Sequence, residues 1–358
     1  MSFIHFDESL KSNFITLFGS IMRIFIAYLL LKLSGVKAFF NAEKISFNIL
    51  LLGFFIFFIT EFFPSSENFI KQFDVGVVED MANEGGWNIL IFTKNPWHTF
   101  RFSGYAWEPG ALALIIIFSL ILSILRDGYQ VDIRKSVYLT MLVFTFSTAG
   151  FLALSFLILF YSIHFGLSRY FIVVIVLVPL LIPVIELVYR QDFMSDKIEQ
   201  YLYESERNRK FGYENMSIKK VTRYDYIFLG GSLMSKWPVG YGISKKGQVK
   251  SRSGFVLRGS NSLISFLVAW GIIGFIFMLM LIYKCINLLA KIFEIKNSLA
   301  LFLALLVVLF SNPIERSPLF YGLCLFPLIY IKVIRNSQNY RKLVSSSTMS
   351  KPSFNSRQ

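Results

Sequence analysis

A series of apolar runs that continue for the width of a bilayer constrains this chain most. They lie at about 13–31, 45–63, 109–125, 134–148, 150–165, 170–189, 262–283, 297–311 and 317–334. A helix needs about 20 such residues to cross a ~30 Å hydrocarbon core, whereas a soluble core breaks its apolar runs every few residues. Composition agrees: 55% of residues are hydrophobic and 16% charged, against about 25% charged in soluble domains. The expected fold class is an all-α polytopic membrane protein with about nine to ten transmembrane helices. A single integral membrane domain over 1–335 is expected, with long external loops at about 64–107 and 190–261. A Ser- and Asn-rich, disordered cytoplasmic tail would follow over 336–358.

Charge sets the expected orientation. The stretch 134–165 reads as one long helix or as two short ones meeting near Ser147-Thr-Ala-Gly150. With a break at Gly150, the short loops holding Lys32, Lys37 and Lys44, then Arg126, Arg134 and Lys135, then Arg169, then Lys284, Lys291 and Lys296 fall on one side. The tail, with Arg335, Arg341, Lys342, Lys351 and Arg357, joins them. The positive-inside rule makes that side the cytoplasm and leaves the two long loops, which the rule does not govern, outside. Nine crossings put the N-terminus outside unless a segment precedes it, and the first apolar stretch reads as an anchor without a cleavage site. Cys285 and Cys324 sit in apolar segments, which supports neither a disulfide framework nor a metal site.

The polar chemistry is expected in the external loops. The second holds twice as many Lys and Arg as Asp and Glu, with a polar helix expected over Asp192–Arg207 and turns at Gly230-Gly231, Gly240, Gly242 and Gly247. The first carries Glu67, Asp74, Glu79, Asp80 and Glu84 with Trp87, Trp97 and Trp107, and ends in Arg101-Phe-Ser-Gly104-Tyr-Ala-Trp-Glu108-Pro-Gly110. Pro109 suits a first helical turn, and Glu108 before it faces the positive end of the helix dipole. That carboxylate either anchors the helix end or, beside Tyr105 and Trp107, serves as a general base. Arg101, Arg223, Arg258 and Arg316 fall on the same outer face, where planar guanidinium forks grip phosphate oxygens; taken singly, each also reads as an interfacial anchor. Of three histidines only His98, in Asn95-Pro-Trp-His98-Thr-Phe-Arg101, is placed for chemistry, and no metal-ligand spacing occurs. The net charge of +14 does not point to nucleic acid, because the charges are spread over loops without a recognition module.

Four stretches over roughly 100–285 together resemble the bacterial O-antigen polymerase (Wzy) family, within the O-antigen polymerase and ligase superfamily. The first is Arg101…Gly104…Glu108-Pro-Gly110 before an apolar helix. The second, Thr145-Phe-Ser147-Thr-Ala-Gly150, resembles a Thr-x-Ser-x-x-Gly element, with Thr148 where many relatives carry Arg. The third is Arg223 followed by Lys236-Trp-Pro238-Val-Gly240-Tyr-Gly242. The fourth is Ser260-Asn261-Ser262 leading into Ala269-Trp-Gly271-Ile-Ile-Gly274; ligases and many relatives place a His where Ser260 stands.

The resemblance implies a metal-independent inverting glycosyltransferase without cofactor, at the periplasmic face of the bacterial inner membrane. Glu108 or His98 would be catalytic, and Arg101, Arg223, Arg258, Arg316 and Asn261 would bind substrate. The implied partners are undecaprenyl-pyrophosphate-linked oligosaccharides, membrane lipid and a chain-length regulator protein. Two rivals stand beside it: an O-antigen ligase on the same scaffold, and a lipid-linked glycan or solute transporter. Transporters place ionisable groups near the bilayer midplane and break helices in matched halves. Here, apart from Arg23, the central segments are nearly free of charge.

Overall fold

The computed structural model describes residues 10–77, 82–96, 100–106, 108–164, 225–242, 262–295, 298–311 and 317–335. The expected crossing at 170–189, the polar helix over Asp192–Arg207 and the tail from 336 lie outside them. In chain order the described elements are α1 (Leu10–Ser34), α2 (Lys37–Phe62), α3 (Pro64–Lys71), β1 (Trp87–Asn88), β2 (Thr93–Lys94), α4 (Pro109–Asp127), α5 (Ile133–Thr145), α6 (Thr148–His164), α7 (Asp225–Lys236), α8 (Ser262–Ile292), α9 (Ser298–Ser311) and α10 (Pro318–Arg335). Four of these, α1, α2, α4 and α8, are long and apolar enough to cross a membrane; stretches of α6, α9 and α10 are apolar but shorter. The 14 residues of α9 span about 21 Å, less than a ~30 Å core.

The bundle is organised around α4. Of its apolar window 83% is buried, against 17%, 22% and 17% for α1, α2 and α8. An all-round apolar helix has no face to offer water and goes to the middle, and α4 packs against α2, α5, α6 and α9. A second group forms where α8 meets α7, α9 and α10, with α1 lying along α10.

Four contacts bring the basic helix ends together. Arg126 at the end of α4 and Arg134 at the start of α5 both reach Glu43 near the start of α2. Phe40 of α2 stacks edge-on with Phe293, just past α8, at 5.1 Å. The Tyr330 hydroxyl of α10 donates to the Leu31 carbonyl of α1 at 2.7 Å. Lys32, Lys37, Lys44, Arg126, Arg134, Lys135, Lys284 and Lys291 therefore gather at one end of the bundle. Glu108 lies at the other, across the 19 residues of α4, about 28 Å.

Several expectations are corrected. Most of those basic residues lie inside helices rather than in loops; only Gly35 and Val36 separate α1 from α2, because lysine and arginine are good helix formers and the helices outrun the apolar stretch. The break in 134–165 falls at Phe146 and Ser147, and Gly150 sits inside the first turn of α6. Gly230-Gly231 is no turn but part of α7. A Cβ on Gly230 would meet Ile264 Cγ2 at 2.6 Å, so the glycine serves a close helix crossing. The segment 64–107 also contains α3 and the antiparallel β1–β2 pair, with Trp87 opposite Lys94, so the fold is not wholly α.

Candidate active site

The loop before α4 is set by its own sequence. Phe102 is fully buried in an aromatic cluster with Phe54 and Phe57 of α2, its ring 5.0 and 5.5 Å from theirs. A turn follows in which the Ala106 N–H donates to the Ser103 carbonyl. Gly104 there has φ of 52°, a left-handed conformation that costs glycine little. An added Cβ would lie 2.9 Å from Leu112 of α4, which gives the motif glycine a packing reason. Beyond it the Tyr105 hydroxyl reaches Ser46 of α2 at 3.1 Å. Ser46 lies 16 residues before the end of α2, about 24 Å along its axis, so this loop plunges deep into the bundle.

Arg101 and Glu108 bracket that loop. Glu108 is extended (φ −149°, ψ 153°) at the N-cap of α4, with Pro109 in the first turn as expected. Its side chain makes no capping hydrogen bond, and the helix start is held instead by Leu112 N–H donating to the Glu108 carbonyl at 3.2 Å. The anchoring role open to a carboxylate here is thus not exercised as a side-chain cap. Glu108 is half-buried.

Arg101 turns towards the end of α5. Its Nε donates to the Thr145 carbonyl at 3.0 Å and its Nη2 to the Phe146 carbonyl at 3.1 Å. The next residue, Phe102, donates its N–H to the Phe144 carbonyl at 2.8 Å. The last carbonyls of a helix lack intrahelical partners and carry partial negative charge, so a cation there is doubly suited. Phe146 itself takes the left-handed cap conformation. Ser147 Oγ then accepts from the Gly150 N–H at 3.3 Å, an N-cap for α6. A Cβ on Gly150 would lie 3.0 Å from Ala113 of α4. The first two motif stretches, joined by residues 44 and 45 positions apart, therefore form one junction.

The third and fourth stretches form another. Within α8 the backbone at Gly271 is non-helical, with φ of 73°, and the segment after α7 docks into the break. Tyr241 N–H donates to the Val268 carbonyl at 2.8 Å, Gly242 N–H to Ala269 at 2.9 Å, and Ile272 N–H to Pro238 at 3.0 Å. The backbone groups freed by the kink are thereby satisfied, as a buried break requires. Gly240 and Gly271 face each other so closely that a Cβ on either would strike the other segment's backbone. Burial pushes the Tyr241 phenol above its ordinary value.

Of the expected site residues, Arg101 and Glu108 are described. His98, Arg223, Arg258, Asn261 and Arg316 lie outside the described residues. Among the described residues no group of three or more His, Cys, Asp or Glu side chains is placed to hold a metal ion.

At the opposite end the structure reveals a constellation that sequence reasoning missed. Glu43, with a fully buried side chain, accepts from Arg126 at 2.9 Å and Arg134 at 3.3 Å, and from the Tyr138 hydroxyl at 2.9 Å. Beside it Asp132 caps α5. Burial alone would raise that carboxyl, but the amide and ammonium of Lys135, with Arg126 nearby, hold it below the usual carboxylate range. Its charges balance, three carboxylates (Glu43, Asp127, Asp132) against Arg126, Arg134 and Lys135, so it reads as a structural clamp joining α2, α4 and α5. The available signal was one acid, Glu43, beside the apolar run of α2.

No family model matches the chain, and no curated protein or solved structure matches it.

Proposed function

We propose that this protein is a polysaccharide polymerase of the O-antigen polymerase type. It would be a multi-pass protein of the bacterial inner membrane, with the basic helix ends in the cytoplasm and the Glu108 end at the periplasmic face. The observation that supports the reading best is the pairing of the described parts of the motif stretches. The first joins the second and the third joins the fourth, on the side of the bundle away from the basic ends.

In this reading the growing glycan on undecaprenyl pyrophosphate is the donor, and a hydroxyl on the terminal sugar of the next lipid-linked repeat unit is the acceptor. Glu108 takes the hydroxyl proton. The oxygen forms its bond to the anomeric carbon from the face opposite the pyrophosphate, the old carbon–oxygen bond breaks, and lipid pyrophosphate leaves with the electron pair, inverting the centre. Arg223, Arg258 and Arg316 neutralise the diphosphate, Asn261 binds substrate and His98 assists as a further acid or base. Arg101, with two donors on the α5 carbonyls, is first a positioning residue that fixes the loop carrying Glu108.

The test is purified protein with lipid-linked repeat units, reading oligomers on the lipid. Glu108→Gln should lower the rate by roughly 10²–10⁴-fold, the usual contribution of a positioned acid or base, with the protein still folded. A full ladder of long chains from the variant would remove Glu108 from the chemistry.

A further inference from the structure

The short helix α3 does not sit as a helix resting on a protein in water would. Its acid is turned inward: Glu67 accepts from Trp87 Nε1 at 3.0 Å and from Lys94 Nζ at 3.4 Å, and Lys94 also bridges to Glu61. Ile70, one turn from Glu67, packs against the core. Its phenylalanine is turned out, with others flanking it. Phe69 and Phe73, the latter two residues past the end of α3, have rings 5.7 Å from each other and are 63% and 61% exposed, and Phe62 and Phe63 at the α2–α3 junction are 68% and 65% exposed.

We infer that α3 lies in the bilayer interface on the Glu108 side, its outward phenylalanines inserted at the boundary of headgroups and acyl chains. Two observations select lipid as the occupant. The patch continues an exposed stripe of α2, Leu51, Phe55 and Phe62, on a helix long and apolar enough to cross the membrane; the same surface that meets acyl chains along α2 runs out onto α3. Ser66 Oγ fixes the elbow by donating to the Phe63 carbonyl at 2.7 Å and the Ile59 carbonyl at 3.2 Å, so α3 holds its angle to α2. Helices with an aromatic face bury it some 5–10 Å into this boundary. The anchored α3 in turn holds β1–β2 through Glu67, and β2 is bonded to the loop before α4 by Thr93 N–H to the Gly104 carbonyl at 2.6 Å. The inference rests on the membrane reading but not on the polymerase reading.

The experiment places spin labels on Phe69→Cys, Phe73→Cys and Asn68→Cys, with Cys285 and Cys324 replaced by alanine, in phosphatidylethanolamine and phosphatidylglycerol liposomes. Collisions with oxygen, which concentrates among acyl chains, are compared with collisions with a water-soluble nickel chelate. The oxygen-to-nickel ratio should be several-fold higher at 69 and 73 than at 68. Equal, nickel-dominated ratios would put α3 in water and overturn the inference. Shielding from both reagents at 69 and 73 would also overturn it, in favour of a protein partner. Should the alanine background not fold, Phe69→Trp in the unsubstituted protein asks the same question through the added fluorescence that brominated lipid quenches. A polymerase with α3 in water would still extend chains, so activity and label depth fail separately.

Discussion

Glu43 shows what a single side chain contributes when it is buried among cations. Removing one partner of a buried ion pair strands the others, at about 3–5 kcal/mol. Arg126 keeps Asp127 at 2.7 Å, and both arginines reach solvent in part, so Glu43→Ala should cost near the lower end, about 3 kcal/mol. Glu43→Gln, which keeps an acceptor for Tyr138, should cost less. Thermal unfolding in detergent measures both; an alanine variant as stable as the parent would mean that the clamp contributes nothing. Glu108 was legible in the sequence because Pro109 fixes a helix start and the apolar run fixes its direction. Arg101 was legible as a cation at the mouth of that helix but not as a helix cap, since its carbonyl partners are 44 and 45 residues away. The Glu43 clamp was hidden for the same reason: its three partners lie on two other helices, and one sequence carries no sign of which acid meets which arginine.

At the scale of elements, the length of the apolar runs located the four described helices long and apolar enough to cross a membrane, while the devices that join the helices depend on backbone geometry. The break in α8 is such a device. Its sequence, Ala269-Trp-Gly271-Ile-Ile-Gly274, reads as continuous helix, because one glycine costs a helix only about 1 kcal/mol. The break forms because the Pro238–Gly242 segment offers partners for the freed groups. Gly271→Ala combines a positive φ with a Cβ driven into the Pro238 and Val239 backbone, so that segment must leave. The expected result is faster amide hydrogen exchange at Tyr241, Gly242 and Ile272, whose N–H groups make the junction, with α4 and α9 unchanged. Unaltered protection at those three amides would show that the junction tolerates a side chain. Gly274→Ala is the comparison within the same helix, where the neighbour is the Trp270 side chain rather than backbone.

For the whole molecule, the fold reduces orientation to a single unknown. The Glu43 clamp ties the ends of α2, α4 and α5, Phe40 and Phe293 tie α2 to α8, and Tyr330 and Leu31 tie α10 to α1. Once one of these ends is assigned to a compartment, all are. Lys and Arg dominate them, and short positive segments are retained on the cytoplasmic side, so the end of α10 should be cytoplasmic and the α7–α8 connection periplasmic. Reporters active in one compartment only, fused after Arg335 and inserted at Gly247, should give opposite signals. Equal signals would place the Gly240–Gly271 junction and the basic helix ends on one side, which α8 forbids: the 21 residues from Gly271 to Ile292 span about 32 Å, a full hydrocarbon core. That result would overturn the membrane crossing of α8, and with it the shared outer face that the proposed function requires of Glu108 and the arginines of the second loop.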